Sequence, residues 1–360
     1  MRLMTKLRSV ACVLAMLCAG TGIAHAQEFA GRVVNVIVNF PVGGPTDLEG
    51  RVFAQHLPRF LKGTSAVVVR NVAGAGGMIA VNQLGDVSET NNLNIGFFTW
   101  DPMQQILNHP NLRVKFNDLK FIAGMEQTNL LYIRRDTAPG IAKPADIAKV
   151  NTFRAAVLSN GSDWSALRQS LALDLLGAKY RIIPGYKGTR EAEVALLQGD
   201  IQLVSNSLPG YNSFAKLNLV DKGLAIPLFQ YERGEGNLRR SPNLPDVPTF
   251  LELYREVHGS NANPSGPKWE ALQFLNRISR TPRVIFMPPN APDAAVAELR
   301  SAVERMAKDP QFIAQYEKVT LAPAHFVHGA DGERVIVELK RLPPEMVTFF
   351  NQYIESNSSR

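Results

Sequence analysis

Val33 to Gly50 reads VVNVIVNFPVGGPTDLEG, and its three parts decide how the rest is read. Val33 to Asn39 is a β-branched run of strand length. Phe40-Pro41-Val42-Gly43-Gly44-Pro45 is a glycine and proline loop that ends the strand without itself starting a helix. Thr46-Asp47-Leu48-Glu49 has the spacing of a capping box, in which Thr46 accepts from first-turn amides and Glu49 reaches back to the Thr46 N–H. Such a strand, loop and helix start leaves backbone N–H groups open at the positive end of a helix dipole. That is an anion site.

The same logic repeats downstream. Ala66 to Asn71 (AVVVRN) is a second short strand, Val72 to Gly77 a second glycine loop, and Met78 to Leu84 a helix start. In a parallel sheet both loops open on the edge where ligands of open α/β sheets bind. Leu93 to Thr99 is a third strand, ending at Trp100-Asp101-Pro102, and Asn129 to Arg134 leads into a second region. There Phe153 to Ser159 is a strand and Asn160-Gly161-Ser162-Asp163 a turn. Trp164, Leu167, Leu171 and Leu175 give a helix that stops at Gly177, with Ser162 or Asp163 as its cap. Tyr180 to Pro184, the turn Gly185-Tyr186-Lys187-Gly188, a helix from Thr189 to Gln198 and a strand from Ile201 to Ser205 complete the rhythm. Strand–helix alternation predicts parallel sheets with right-handed crossovers.

The 360 residues fit two domains, and 45% hydrophobic content is ample for their cores. Basic residues 1–8, an apolar run from Val10 to Cys18 and Ala24-His25-Ala26 read as a signal peptide cleaved after Ala26. A lipid anchor on Cys18 is disfavoured, because Leu17 replaces the usual small residue before it. Cys12 and Cys18 both fall in this leader, so the mature chain is expected to have no disulfide, thiolate nucleophile or cysteine metal site. The leader holds Arg2, Lys6 and Arg8, so the net charge of +7 falls by three to +4. The basic residues are scattered, which argues against nucleic acid and suits an acidic ligand.

FPVGGPTD followed by NVAGAGGMIA resembles the two ligand loops of the periplasmic solute receptors of tripartite tricarboxylate transporters, the Bordetella uptake gene (Bug) family. Tyr186-Lys187-Gly188, LLQGD at Leu196 to Asp200, and PDVPTF at Pro245 to Phe250 are similar to its recurring segments, as is the apolar helix on Val296, Leu299, Val303 and Met306. The likeness covers most of the mature chain. It implies a type II-like periplasmic binding protein: two doubly wound α/β domains around a hinged ligand cleft. Domain one would comprise residues 27–129 and 226–360, and domain two residues 130–225, with Leu224 to Gln230 as the returning strand. It further implies a monomer without metal or organic cofactor that holds a carboxylate on loop amides, closes, and docks on the transporter's membrane subunits. By motif the first loop contributes Phe40, Gly43, Gly44, Thr46 and Asp47, and the second Gly74, Ala75, Gly76 and Gly77. Thr99 adds a hydroxyl, and domain two offers Ser159, Ser162, Asp163, Tyr186, Lys187, Ser205, Asn206 and Ser207. Two departures stand out. Pro45 has no N–H to donate, and Leu251 to Arg283 replaces a short link with a longer segment carrying an extra helix on Trp269, Leu272, Leu275 and Ile278. No arginine lies in either loop, which argues against an arginine clamp.

Other chemistry is poorly supported. Gly74-Ala75-Gly76-Gly77 completes neither a P-loop nor a dinucleotide fingerprint. His325 and His328 form an H-x-x-H without a nearby Glu or third ligand, which reads as ordinary surface or packing histidines. No G-x-S-x-G is present. Asp47 is more simply a dipole-complementing residue than a general base. Phe98, Trp100 and Trp164 lie near turns, mainly as packing residues, with one or two able to floor an aromatic ligand. A hydrolase or isomerase on this scaffold would have only Asp47 with Ser162 to work with; a receptor that senses without delivering is a further alternative. Helix dipoles give about 0.3–1 kcal/mol each, against roughly 8 kcal/mol for micromolar binding. Charge-assisted hydrogen bonds and exclusion of water must supply the rest. Dicarboxylate, tricarboxylate, aromatic carboxylate and small amide ligands all stay open.

Overall fold

The structure, a computed structural model, describes residues 28–86, 93–158, 161–231, 239–339 and 342–358. The expected leader, residues 1–26, lies outside them, and so does Ser159.

Two sheets organise the chain. In the first, β1 (Val33–Val38) lies between β2 (Ala66–Asn71) and β3 (Leu93–Thr99), all parallel. Both glycine loops therefore leave the same edge. Beyond β3 the pairing turns antiparallel through β10 (Arg283–Met287), β4 (Lys120–Glu126) and β11 (His325–His328). The second sheet contains β5 (Asn129–Arg134), β6 (Phe153–Leu158), β7 (Tyr180–Tyr186), β8 (Leu203–Ser207) and β9 (Ala225–Gln230), in the order β7-β6-β8-β5-β9. β6 is parallel to β7 and β8, whereas β5 is antiparallel to β8 and β9.

Both sheets are thus mixed, which corrects the expectation of parallel ones. Alternation with helices holds from β1 to β3 and from β6 to β8. β4 passes to β5 through Gln127-Thr128 alone, too short for a crossover, and β10 and β11 arrive from the C-terminal third. The strand expected to return the chain to domain one is instead the far edge of the second sheet.

The helices are α1 (Pro45–His56), α2 (Met78–Asp86), α3 (Pro102–Ile106), α4 (Trp164–Leu175), α5 (Thr189–Gln198), α6 (Phe250–His258), α7 (Pro267–Ile278), α8 (Asp293–Met306), α9 (Pro310–Thr320), α10 (Gly329–Glu338) and α11 (Pro344–Ser358). A turn of π-helix, Tyr211–Val220, follows β8. Val34, Val36 and Val38 meet Phe53 of α1, Leu299 of α8 and Phe312 of α9 on the outer face of the first sheet. Tyr132 and Val204 meet Leu196 of α5 and Tyr211 on the outer face of the second. The largest core lies between the sheets and joins Phe98, Trp100 and Phe286 to Ile133, Phe153 and Leu203 through α4 and α7. Burying each such side chain is worth about 1.5–3 kcal/mol.

α7 is the extra helix expected between Leu251 and Arg283. It lies on α4 and is tied there by Lys268 Nζ to Asp174 (2.7 Å), which also accepts from Tyr353 of α11 (3.1 Å). Arg168 of α4 donates to Ser279 Oγ just beyond α7 (2.7 Å).

The capping box at Thr46 does not form. α1 begins earlier, with Gly44 as N-cap and Pro45 in the first turn, and no side chain caps it. Proline's fixed φ suits a first helical turn, and its missing N–H costs nothing there. Thr46 and Glu49 are thereby turned inward and take other partners.

Candidate functional site

A cavity of about 350 Å³ lies between the carboxyl ends of the two sheets. The size suits a small molecule. Its first wall starts at the ends of β1 and β3. Asn39 donates to Thr99 O (2.7 Å) and accepts from Thr99 N (3.0 Å), so one side chain locks the two strand ends together. Gly77 permits this: its backbone has φ +91°, and a Cβ there would stand 2.2 Å from Asn39 Nδ2. The second loop can cross Asn39 only as glycine.

Asp47 ties the first loop together. Its carboxylate accepts from Gly43 N (2.9 Å), Asn71 Nδ2 (2.8 Å) and Arg51 Nε (3.0 Å). Burial raises its pKa, but Arg51, the Gly43 amide and Asn71 outweigh this and hold it below the usual carboxylate value. An acid so committed anchors the loop.

Behind the loop Arg283, at the start of β10, donates through Nη1 to Thr99 Oγ1 (2.6 Å) and through Nε to Glu49 Oε1 (3.0 Å). Glu49 also accepts from Tyr316 (2.8 Å) and from Gln127. Thr99 Oγ1 lies 2.7 Å from Thr46 Oγ1. Because guanidinium only donates, Thr99 is an acceptor toward Arg283 and directs its own proton at Thr46. The Thr46 hydroxyl is then left to donate into the cavity.

At the rear the sheets touch through Trp164, whose Nε1 donates to Trp100 O (2.8 Å) and whose N donates to Asp101 Oδ1 (3.2 Å). Asp163 caps α4, accepting from Ser165 N (2.9 Å) and Ala166 N (3.1 Å). Burial pushes the Asp163 carboxyl up to about 6, and burial together with neighbouring Asp163 pushes Asp101 well above the usual range.

The second wall is the end of β8 and the start of α5. Glu193 is 1% exposed and accepts from Tyr132 Oη (2.8 Å) and Asn206 Nδ2 (2.9 Å), with Arg190 Nη1 3.2 Å away. Burial raises its carboxyl to about 7. Glu193 thus sets two groups of the cavity lining, Asn206 and Arg190. The N-termini of α1, α4 and α5 contribute Thr46, Ser165 and Thr189 to the same lining.

Of the residues proposed from sequence, Phe40, Gly44, Thr46, Gly76, Thr99, Asp163, Lys187, Ser205, Asn206 and Ser207 line this one cavity. Gly43, Asp47, Gly74, Ala75 and Gly77 do not; they shape or anchor the loops behind the lining. Ser162 gives up the cap to Asp163, and Tyr186 packs toward the core outside the second sheet. Trp100 and Trp164 reach the cavity, whereas Phe98 is core.

The inference against arginine needs correcting. Neither loop has one, yet Arg190 and Arg283 both line the cavity, from α5 and β10. Arg190 follows the Gly-Tyr-Lys-Gly turn at helical spacing, a signal that was available. Arg283 closes the departing segment and had none. Among the described residues no group of three His, Cys, Asp or Glu is placed to hold a metal ion, and His328 stacks on Phe326. Among them, too, no helix is long and apolar enough to cross a membrane.

No protein-family model matches the chain. It is 24% identical to a UPF0065 protein of Bordetella pertussis over 315 residues, covering 85% of each chain. It is 28% identical to BugT of the same organism over 287 residues, covering 74% of this chain and 81% of that one. Among solved structures it is similar to the periplasmic binding protein BugD, with TM-score 0.65, 20% identity and coverage of 90% and 98%. MatC of Rhodopseudomonas palustris, solved with bound malate, gives TM-score 0.62 at 21% identity, covering 91% of this chain and all of that one. The fold is therefore that of a periplasmic binding protein, and these likenesses bear out the resemblance drawn from the two loops.

Proposed function

We propose that this chain is a Bug-type solute receptor, which captures a small carboxylate between its two sheets and delivers it to a tripartite tricarboxylate-type transporter. One observation carries the reading. Three helix N-termini, the Thr46 hydroxyl, Lys187 and Arg190 converge on a single cavity between sheets that contribute a wall each. Such donors match an oxyanion. The malate bound to MatC supports the ligand class. The two sheets with their helices act as the two domains, meeting at Gln127-Thr128 and after β9. The receptor works in the periplasm as a monomer, its leader removed after Ala26, and its closed form docks on the membrane subunits. It needs no cofactor and turns nothing over. Asp47, the acid available for an enzymatic alternative, is already taken up by Gly43, Arg51 and Asn71.

A thermal-shift panel of small carboxylates and their amides tests this. At a hundredfold excess over its Kd a ligand stabilises by about 2.7 kcal/mol. The expected outcome is a clear shift with one carboxylate, diminished by Lys187→Ala with Arg190→Ala. Stabilisation by amides alone, or chemical conversion of the bound acid, would overturn the reading.

A further inference from the structure

The second sheet carries another cavity, at the edge opposite the cleft. It holds about 620 Å³ and is lined by Arg134, Arg154, Arg181, Asp136, Gln202 and Gly199 among others. Arg154 and Arg181 are register partners on the parallel strands β6 and β7, so both side chains leave the same face about 4.8 Å apart. Like charges in that relation repel. Among the described residues no carboxylate forms an ion pair with either. Arg154 makes one side-chain bond, from Nη2 to Gly199 O (3.1 Å). Arg134 is committed: it grips Asp136 (2.6 and 2.8 Å) and caps the end of α5 at Leu196 O (2.8 Å). The groove thus contains three guanidiniums and one carboxylate, with two guanidiniums facing solvent side by side.

We propose that this groove is a second binding site, independent of the cleft, for a phosphate-bearing molecule. A carboxylate has two oxygens in one plane and satisfies one guanidinium fork. A phosphate presents three or more terminal oxygens and a higher charge, and so spans two forks on neighbouring strands. The cleft lies at the other ends of these strands, at Leu158 and Lys187, so both sites can be filled together. Free phosphate and a phospholipid head group share this chemistry.

Calorimetric titration of the protein with inorganic phosphate, and co-sedimentation with phosphatidylglycerol against phosphatidylcholine vesicles, test the proposal. Phosphate should bind at roughly millimolar concentration, and Arg154→Gln with Arg181→Gln should weaken it about tenfold while leaving the melting temperature unchanged. Binding that survives Lys187→Ala with Arg190→Ala places it outside the cleft. Vesicle binding lost with the Arg154 and Arg181 changes, without phosphate binding, supports the site and names a lipid source. Neither phosphate nor vesicle binding, or binding indifferent to Arg154 and Arg181, would overturn it.

Discussion

A methyl group on Gly77 would collide with the amide that locks β1 to β3, on a backbone already in the left-handed region. Gly77→Ala should therefore cost on the order of 1–3 kcal/mol in denaturant unfolding and weaken ligand binding as well. An unchanged midpoint would mean that Asn39 is free to move. Glu193 makes a prediction of the opposite kind. Its folded carboxyl, raised to about 7 by burial, keeps a proton that the unfolded chain gives up near the ordinary value of 4.5. Stability should fall as pH rises between those values, by up to about 3 kcal/mol, and then level. Asp163, raised to about 6, adds a fall of the same sign over a lower range. Glu193→Gln should flatten the upper part of the profile; a wild-type profile that climbs from pH 5 to 7 would refute the assignment. The glycine loops were legible in the sequence because only glycine meets such backbone demands. Arg190 was not, because its approach to the cavity follows from how α5 is rotated on its sheet.

At the scale of elements, α1 and β10 are joined by Glu49 and Arg283, 0% and 3% exposed, with Nη2 to Oε1 at 2.9 Å. Removing one member of a buried pair leaves a bare charge and costs about 3–5 kcal/mol. Arg283→Met should reach that range, and adding Glu49→Gln should recover much of it; additive losses in a double-mutant cycle would show that the two act separately. β3, α4 and α5 could be placed from sequence to within a residue, since a cap or a glycine marks their ends. The start of α1 could not. A T-x-x-E pattern and a first-turn proline competed for it, and proline won because its φ is fixed. The antiparallel arrival of β10 and β11 left no local trace, since pairing over such sequence distances is decided by the finished core.

Across the whole molecule, Trp100 and Trp164 meet at the cleft while the third tryptophan, Trp269, stacks on Phe250 (5.9 Å) away from it. Adding the stabilising carboxylate should change the tryptophan emission, and Trp164→Phe should remove most of the change; a signal that survives would place the response elsewhere. The sequence foretold two α/β units and an inserted helix, but not that helix's anchorage, which depends on surfaces brought together only by folding. α7 runs into β10 of the first sheet while lying on α4 of the second, and a continuous apolar core fills the space between. The two halves are splinted along their back, so the front alone can gape. A trapped solute then leaves on the timescale on which buried side chains part, not that of a free swing. Residence is long, and unloading sets the pace of each delivery cycle: whatever empties this receptor has to bring its own leverage.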